Sequence, residues 1–374
     1  MNEHKRLAEH FQSYRREDIA TSPLMLYFEV TQACDLVCKH CRASAQPESH
    51  PLELDTDNAI ALLEQATAFP RKPNVVFTGG DPLKRRDIWR LLETAIQLGL
   101  NVALTPSATP LATEQALRRA RDIGVTALGV SLDGADAATH DAFRGWDGSF
   151  ERTRDILADA RELGFYIQVN TTVTRRNVLQ IDAMAEMLAG YGIAMWSVFF
   201  LVPVGRGQTE ERISDSEYEK VFAILWKQSL RQPFAIKTTE APHYRRFVLR
   251  HIADKPGSAD QRKIRSMIGV GDGKGIMFVS HIGDIYPAGF LPVYCGTFPR
   301  VSIVDVYQHH PVFLALRQPD RLRGKCGTCA YRYVCGGSRS RAYAVTGDYL
   351  ESEPDCAYVS EPGAELVLPD SLRV

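Results

Sequence analysis

No apolar run in these 374 residues is long enough to cross a bilayer, and the opening MNEHKRLAEHFQSYRRED is polar and charged throughout. That pattern predicts a cytoplasmic chain with no membrane partner. Charge of one sign is equally scarce, since 44 Lys and Arg against 45 Asp and Glu leave a formal net charge of -1. So balanced a chain has no surplus cations for a phosphate backbone, and nucleic acid is excluded as an expected partner. Internal repeats and low-complexity tracts are also missing. The eight cysteines are not spread as a disulfide framework; seven fall in two tight groups, Cys34/Cys38/Cys41 and Cys326/Cys329/Cys335/Cys356, with Cys295 alone between them. Clustered cysteines in a long chain without a secretory leader read as metal sites.

The composition is that of a globular protein with a substantial core. Six short β-branched runs (24–30, 74–78, 101–105, 127–132, 165–170 and 195–201) alternate with amphipathic segments such as 57–68, 86–98, 114–123, 152–163 and 181–189. Gly99, Gly124 and Gly164 stand where helices need a left-handed terminator. Alternation of this kind gives successive βα units around a parallel sheet. Six units are too few for the eight of a closed barrel, so the expected class is α/β, a partial (β/α)6 TIM-like barrel with a small C-terminal domain. The expected divisions are an N-terminal helical extension (1–22), the barrel (23–215), a bridging region (216–320) and the cysteine-rich tail (321–374). After Gly207 the alternation is expected to stop, apart from a helix near 217–229 and a hairpin over 275–290. The tail is rich in Cys, Gly and Arg, and a bound cluster is the expected organiser of so small a segment.

EVTQACDLVCKHCRAS places Cys34, Cys38 and Cys41 at spacing CxxxCxxC in the loop after the first strand. Three thiolates can hold three irons of a cubane and leave the fourth open to a ligand, which implies chemistry. Structural zinc wants four closed ligands, and His40, between two of the cysteines, is awkwardly placed as the fourth. With TGGD after the second strand, this motif resembles the radical S-adenosylmethionine (SAM) superfamily, and the resemblance spans nearly the whole chain. It implies a four-iron four-sulfur (4Fe-4S) cluster whose open iron is chelated by SAM. It also implies reductive cleavage to methionine and a 5'-deoxyadenosyl radical that takes a hydrogen from substrate.

The resemblance carries further positions. His40 occupies the place of an aromatic residue beside the adenine, while Thr78, Gly79, Gly80 and Asp81 match the motif for the SAM amino group, with Asp one methylene shorter than the common Glu. Glycine there lets a backbone approach closely. Ser131 and Asn170 match ribose contacts, Arg144 a partner for the SAM carboxylate, and Leu201, opening LVPVGRG, the adenine end. Asp133 is expected as a cap, with His140 capping or bracing the same turn.

The second group, CxxCx5C followed after twenty residues by Cys356, supplies four thiolates and closes a site. Spacing alone leaves zinc open. Beside the first motif it resembles a SPASM-type auxiliary-cluster domain, reduced because Ser338 and Ala288 stand where relatives carry cysteine. The expected cofactors are two 4Fe-4S clusters, one SAM-binding and one auxiliary, and SAM itself. Cys295 is expected to be a free or buried thiol. Arg332, Arg339 and Arg341 are expected to brace and tune the auxiliary cluster. The 243–250 stretch HYRRFVLR suits either substrate carboxylates or a solvated helix face. GVGDGKG (269–275) fails the phosphate-loop pattern, because Lys274 is followed by glycine, and reads as a flexible connection.

The expected activity is that of a radical SAM enzyme, of oxidoreductase or lyase type, acting on a carboxylate-bearing substrate. Resemblance to enzymes of the alternative haem and dioxo-haem pathways favours a tetrapyrrole, with a ribosomally made peptide as the alternative substrate and a non-catalytic iron-sulfur or zinc regulator as the alternative class. An electron donor such as flavodoxin or ferredoxin is implied. No catalytic acid or base is legible.

Overall fold

A computed structural model describes residues 14–253 and 269–360. The expected N-terminal helical extension falls outside these up to position 13, and its described part holds one 3-10 turn, Arg16–Ala20. The six β-branched runs form β1 (Met25–Thr31), β2 (Asn74–Gly79), β3 (Asn101–Leu104), β4 (Ala127–Ser131), β5 (Tyr166–Val173) and β6 (Met195–Phe200). Between them lie α1 (Thr56–Ala66), α2 (Ile88–Gln97), α3 (Glu114–Ile123), α4 (Ala137–Arg144), α5 (Ser149–Glu162) and α6 (Ile181–Leu188). Local chemistry fixes the boundaries: Thr113 Oγ1 accepts from Ala116 N at 3.1 Å to open α3, and Gly124, at φ 113°, ends it.

The alternation does not stop at Gly207. After α7 (Asp215–Arg231), capped by a Ser214/Glu217 box, comes one more parallel strand, β7 (Ala235–Thr239), then α8 (His243–Ala253). The hairpin is present as β8 (Ile276–Val279) and β9 (Ile285–Tyr286), but β8 also pairs parallel with β1, Met25 opposite Ile276. The nine-stranded sheet runs β7-β6-β5-β4-β3-β2-β1-β8-β9, so the six-unit expectation is extended at both edges while the barrel stays open. Sequence patterning missed β7 because AIKTT is short and carries polar residues on both faces. The chain closes with α9 (Ile303–His309), α10 (Pro311–Leu316), α11 (Gly324–Gly327) and α12 (Arg339–Thr346).

Strand alternation divides the side chains between two faces. Leu26, Phe28, Val30, Phe77, Val130, Val169, Trp196 and Val198 pack outward into the core under the helices. Tyr27, Glu29, Thr78, Ser131, Asn170, Ser197 and Lys237 take the opposite register and line the lumen. The core face is anchored by Trp196, fully buried, whose Nε1 donates to Thr171 Oγ1 at 2.8 Å. Trp196→Ala is expected to cost about 3–5 kcal/mol in urea unfolding, whereas Leu179→Ala, at a side chain 96% exposed, should stay within about 0.5 kcal/mol.

Candidate active site

The cysteine loop leaves β1 and is tied closed at its base: Cys34 N donates to Gln46 O at 2.7 Å, and Gln46 N to Gln32 O at 3.1 Å. From across the barrel, Arg206 grips it through Cys38 O at 2.9 Å and Ala45 O at 2.8 Å, and its own amide donates to Cys41 O at 3.0 Å. Gly205 permits this clamp, since a Cβ there would stand 2.3 Å from Arg42 O. Two thiols accept from backbone amides, Cys34 Sγ from Leu36 N at 3.4 Å and Cys41 Sγ from Ala45 N at 3.5 Å, while Arg144 Nη1 lies 3.7 Å from Cys38 Sγ. N–H groups aimed at sulfur favour thiolate, the form that ligates iron. Burial, helped by the nearby Asp81 and Cys38 charges, pushes the Cys34 thiol up to about 11, so iron binding there expels a proton.

The TGGD segment packs against this loop. Gly80 N donates to Thr31 O at 2.9 Å and Asp81 N to Ala33 O at 2.7 Å, continuing the β1–β2 pairing past the strand ends. A Cβ on Gly79 would meet Thr31 O at 2.4 Å, and one on Gly80 would meet Ala33 O at 2.4 Å. The glycines are therefore demanded by the approach of two backbones, where the sequence suggested approach to a ligand. Asp81 is fully buried and its carboxylate is already engaged by Thr109 Oγ1 at 2.7 Å, Leu83 N at 3.1 Å and Ser107 N at 3.3 Å. That carboxylate braces the loop next to Cys34, through Ser107, whose hydroxyl lies 3.6 Å from Cys34 Sγ.

Around the far side of the loop, Asp133 is the hub. It is paired with Arg144 through Oδ2, lies 3.8 Å from His40 Nε2, and accepts from Thr172 N at 2.6 Å. The expected capping role belongs instead to Asp136, which accepts from Thr139 N at 2.8 Å to open α4. His140 braces the turn, with Nδ1 accepting from Asp133 N at 3.0 Å. His40 stacks on Phe143 at 4.3 Å between centroids, and burial lowers it to about 4, leaving a neutral planar ring. Ser131 and Asn170 sit opposite one another at the ends of β4 and mid-β5 on the lumen face, and Asn170 Oδ1 accepts from Gln168 Nε2 at 2.8 Å. Leu201 is buried, and its carbonyl accepts from Arg341.

One lumen cluster escaped sequence reasoning. Glu29, buried on β1, binds Arg42 at 2.5 Å and His281 Nδ1 at 2.7 Å, and the Arg42 guanidinium lies 4.5 Å from the Phe278 ring centroid. Its only signal was an Arg directly after the third cysteine; the partners come from β1 and the turn after β8.

The four C-terminal thiols line one pocket with His243, Arg246 and Lys325. Backbone N–H groups again reach sulfur: Glu353 to Cys326 at 3.2 Å, Tyr331 to Cys329 at 3.4 Å and Gly337 to Cys335 at 3.4 Å. Among the described residues no group of three donors converges as a single metal ion requires. Arg339 lies 3.8 Å from Cys326 Sγ, and Arg332 lines the same pocket, donating to Cys329 O at 3.4 Å and to Asp320 at 3.3 Å. Arg341 is the surprise. Fully buried, it binds Glu353 at 2.8 and 3.1 Å, Asp355 at 3.2 Å, and the carbonyls of Leu201 and Glu240, joining the barrel to the tail. Ser338, where relatives carry cysteine, opens α12 by accepting from Arg341 N at 2.9 Å. Ala288 is buried beside Leu291, and Cys295 lies buried alone, donating to Val293 O at 3.3 Å.

The 243–250 stretch resolves residue by residue. His243, Tyr244 and Arg246 are buried, Arg250 is exposed, and Arg245 bonds the carbonyls of Val270 and Val334 at 2.9 and 3.2 Å. The 269–275 segment is no loose connection: Gly271 and Lys274 exchange both backbone hydrogen bonds at 2.9 Å.

Residues 28–188 match the profile of the Radical SAM superfamily. An AdoMet-dependent heme synthase from Methanosarcina barkeri is 38% identical over 91% of this chain and 98% of its own length. The chain belongs to the radical SAM superfamily. Membership makes it an enzyme and implies a 4Fe-4S cluster and SAM as cofactors. A pre-heme d1 synthase from Dinoroseobacter shibae is 27% identical over 89% of this chain and 85% of its own. The fold likeness extends to Streptococcus suis SuiB, solved bound to S-adenosylmethionine, with a TM-score of 0.70 at 17% identity, covering 95% of this chain and 82% of that one. As a radical SAM enzyme it has the expected partial barrel, and no described helix is long and apolar enough to cross a membrane.

Two substitutions test this geometry. Gly80→Ala should displace the cysteine loop and strip most of the iron bound by the N-terminal site, measured per chain after anaerobic purification, with the melting temperature falling only modestly. Arg341→Met should cost about 3–5 kcal/mol by orphaning Glu353, and adding Glu353→Gln should recover much of that loss, read from urea midpoints.

Proposed function

We propose that this enzyme modifies a carboxylate-bearing side chain of an iron tetrapyrrole. The observation that carries the reading is the likeness to an AdoMet-dependent heme synthase, 38% identical over 91% of this chain and 98% of that protein's length. The residues of the first site fit the cofactors the family implies: Cys34, Cys38 and Cys41 would hold the SAM-binding cluster. With cluster and SAM bound, one-electron reduction supplies a 5'-deoxyadenosyl radical for hydrogen abstraction.

The chain's own residues prepare that event. His40 offers a neutral ring for adenine, stacked on Phe143. Ser131 and Asn170 present polar groups for the ribose at adjacent strand positions, and Thr78, Gly79 and Gly80 stand beside the cysteine loop for the amino acid end. Arg144, held by Asp133, offers positive charge to the SAM carboxylate and to the cluster sulfurs. Leu201 closes the adenine end, and Asp81 acts by holding the Gly80 turn.

Cys326, Cys329, Cys335 and Cys356 hold an auxiliary 4Fe-4S cluster in this proposal. Four thiols around a pocket, three of them receiving a backbone N–H, suit a closed cluster better than one zinc ion. Flavodoxin or ferredoxin would deliver the electron, in the cytoplasm.

Anaerobically reconstituted enzyme should carry about eight irons per chain, falling to about four in a Cys326→Ala/Cys329→Ala variant. Given reductant, SAM and Fe-coproporphyrin III, it should form 5'-deoxyadenosine at a rate raised by the porphyrin, with a new pigment by chromatography and mass spectrometry. Deoxyadenosine formation indifferent to the porphyrin would sink the tetrapyrrole reading, and none at all from fully loaded protein would sink the enzyme reading.

A further inference from the structure

The open side of the barrel lies between edge strand β7 and the β8–β9 hairpin, and three cations gather there. Lys237 projects from β7 on the lumen face, beside Ser197, whose hydroxyl is 3.1 Å from that of Thr239. It is enclosed by protein yet its side chain is reached by solvent, the situation of a group standing in an open lumen. Arg245 reaches in from α8, and Lys274 from the turn before β8. A Cβ on Gly269 would stand 3.4 Å from Lys274 Nζ and 3.7 Å from Arg245 Nη1, which puts these two charges side by side.

None of the three has a carboxylate partner among the described residues. Arg245 bonds only carbonyls there. The acids in the same wall, Glu240 and Asp272, lie against one another and accept from Ser338 Oγ and Ser340 Oγ, and burial with their mutual repulsion pushes the Glu240 carboxyl up. Burial, and then the Arg245 charge, lowers Lys237, while burial with the charges of Arg16 and Arg245 lowers Lys274 to about 8. The three cations stand partly open to solvent in the lumen with no carboxylate beside them, the setting in which an acidic ligand supplies the opposite charge. An inward-pointing lysine on an edge strand also blunts strand pairing, as Lys237 can on β7, but Arg245 on α8 and Lys274 in the turn before β8 lie on no strand edge.

We propose that Lys237, Arg245 and Lys274 form a carboxylate-binding wall of the barrel lumen, where they hold the acidic side chains of the substrate that are not reacting. This rests on the tetrapyrrole reading for the identity of the substrate, while the wall itself recognises carboxylates of any source. Lys237 and Lys274 thereby act as specificity residues, selecting substrates with several acidic arms over neutral analogues.

The test uses reconstituted holoenzyme with Lys237→Met and Lys274→Met. At fixed ionic strength, benzene-1,3,5-tricarboxylate should raise the melting temperature of the parent and raise it far less in either variant. Binding of coproporphyrin III, followed by absorbance, should weaken about tenfold or more per substitution, with Lys237→Arg largely retaining it. Without ligand both Met variants should be at least as stable as the parent, which a structural role for the lysines would reverse. Absence of a tricarboxylate shift in the parent, equal shifts in the variants, or destabilised unliganded variants would each overturn the wall. A tricarboxylate shift that depends on the lysines, without porphyrin binding, would keep the wall and overturn the tetrapyrrole substrate.

Discussion

The Arg341 guanidinium is the contact on which the arrangement of the two cysteine sites depends. Its donors reach the carboxylates of Glu353 and Asp355 on one side and the carbonyls of Phe200, Leu201 and Glu240 on the other. Those carbonyls end β6 and follow β7, the strand ends that face the lumen. The tail has little apolar core of its own: among the described residues Ala342 and Leu350 are buried, and Tyr343 and Tyr349 pack against Ala288, Leu291 and Leu316. Polar bonding therefore fixes it. A buried ion pair gives little net stability, since desolvation offsets attraction, but it is intolerant of misplacement, and so it fixes the four-thiol pocket relative to the barrel.

The barrel's site is built on a different principle. Its first cysteine loop hangs from parallel strand ends and is held by backbone against backbone, Gly79 and Gly80 against Thr31 and Ala33, with Arg206 closing the far side. Such contacts admit no side chain at the glycines, so the loop's path is dictated by the sheet beneath it. The polar residues one layer out, Asp81, Asp133 and His140, hold backbone turns in place and leave the lumen to SAM and substrate.

What the sequence made legible was whatever is local. Strand and helix periods, the glycine at the end of α3, and the cysteine spacings follow from neighbours in the chain, and the barrel and both cysteine sites could be anticipated from them. What it hid depends on which strands meet. β8 read as half of a hairpin because nothing local reports its parallel pairing with β1. Asp133 and Asp136 are both plausible caps three residues apart, and only the tertiary position of Arg144 and Thr172 assigns the first to bracing and the second to the cap. Glu29, Arg42 and His281 are separated by up to 252 residues, beyond any motif.

These pieces give the lumen a division of charge. On the β1 side, Glu29 is satisfied by Arg42 and His281, so that wall is internally neutralised and fixed. On the β7 side, Lys237, Arg245 and Lys274 have no carboxylate partner among the described residues, and Arg245 stands near the Cys335 thiol. A ligand with acidic groups is therefore drawn to one wall, which orients it across the barrel before any chemistry begins. Because Arg245 of that wall donates to Val334 O, next to Cys335, a ligand held there would have its acidic end toward the four-thiol pocket. The wall of lysine and arginine stands on β7, α8 and the turn before β8, whereas His40, Ser131 and Arg144, proposed for SAM, stand on the β1 loop, β4 and α4, so holding acidic arms and positioning SAM fall to different elements.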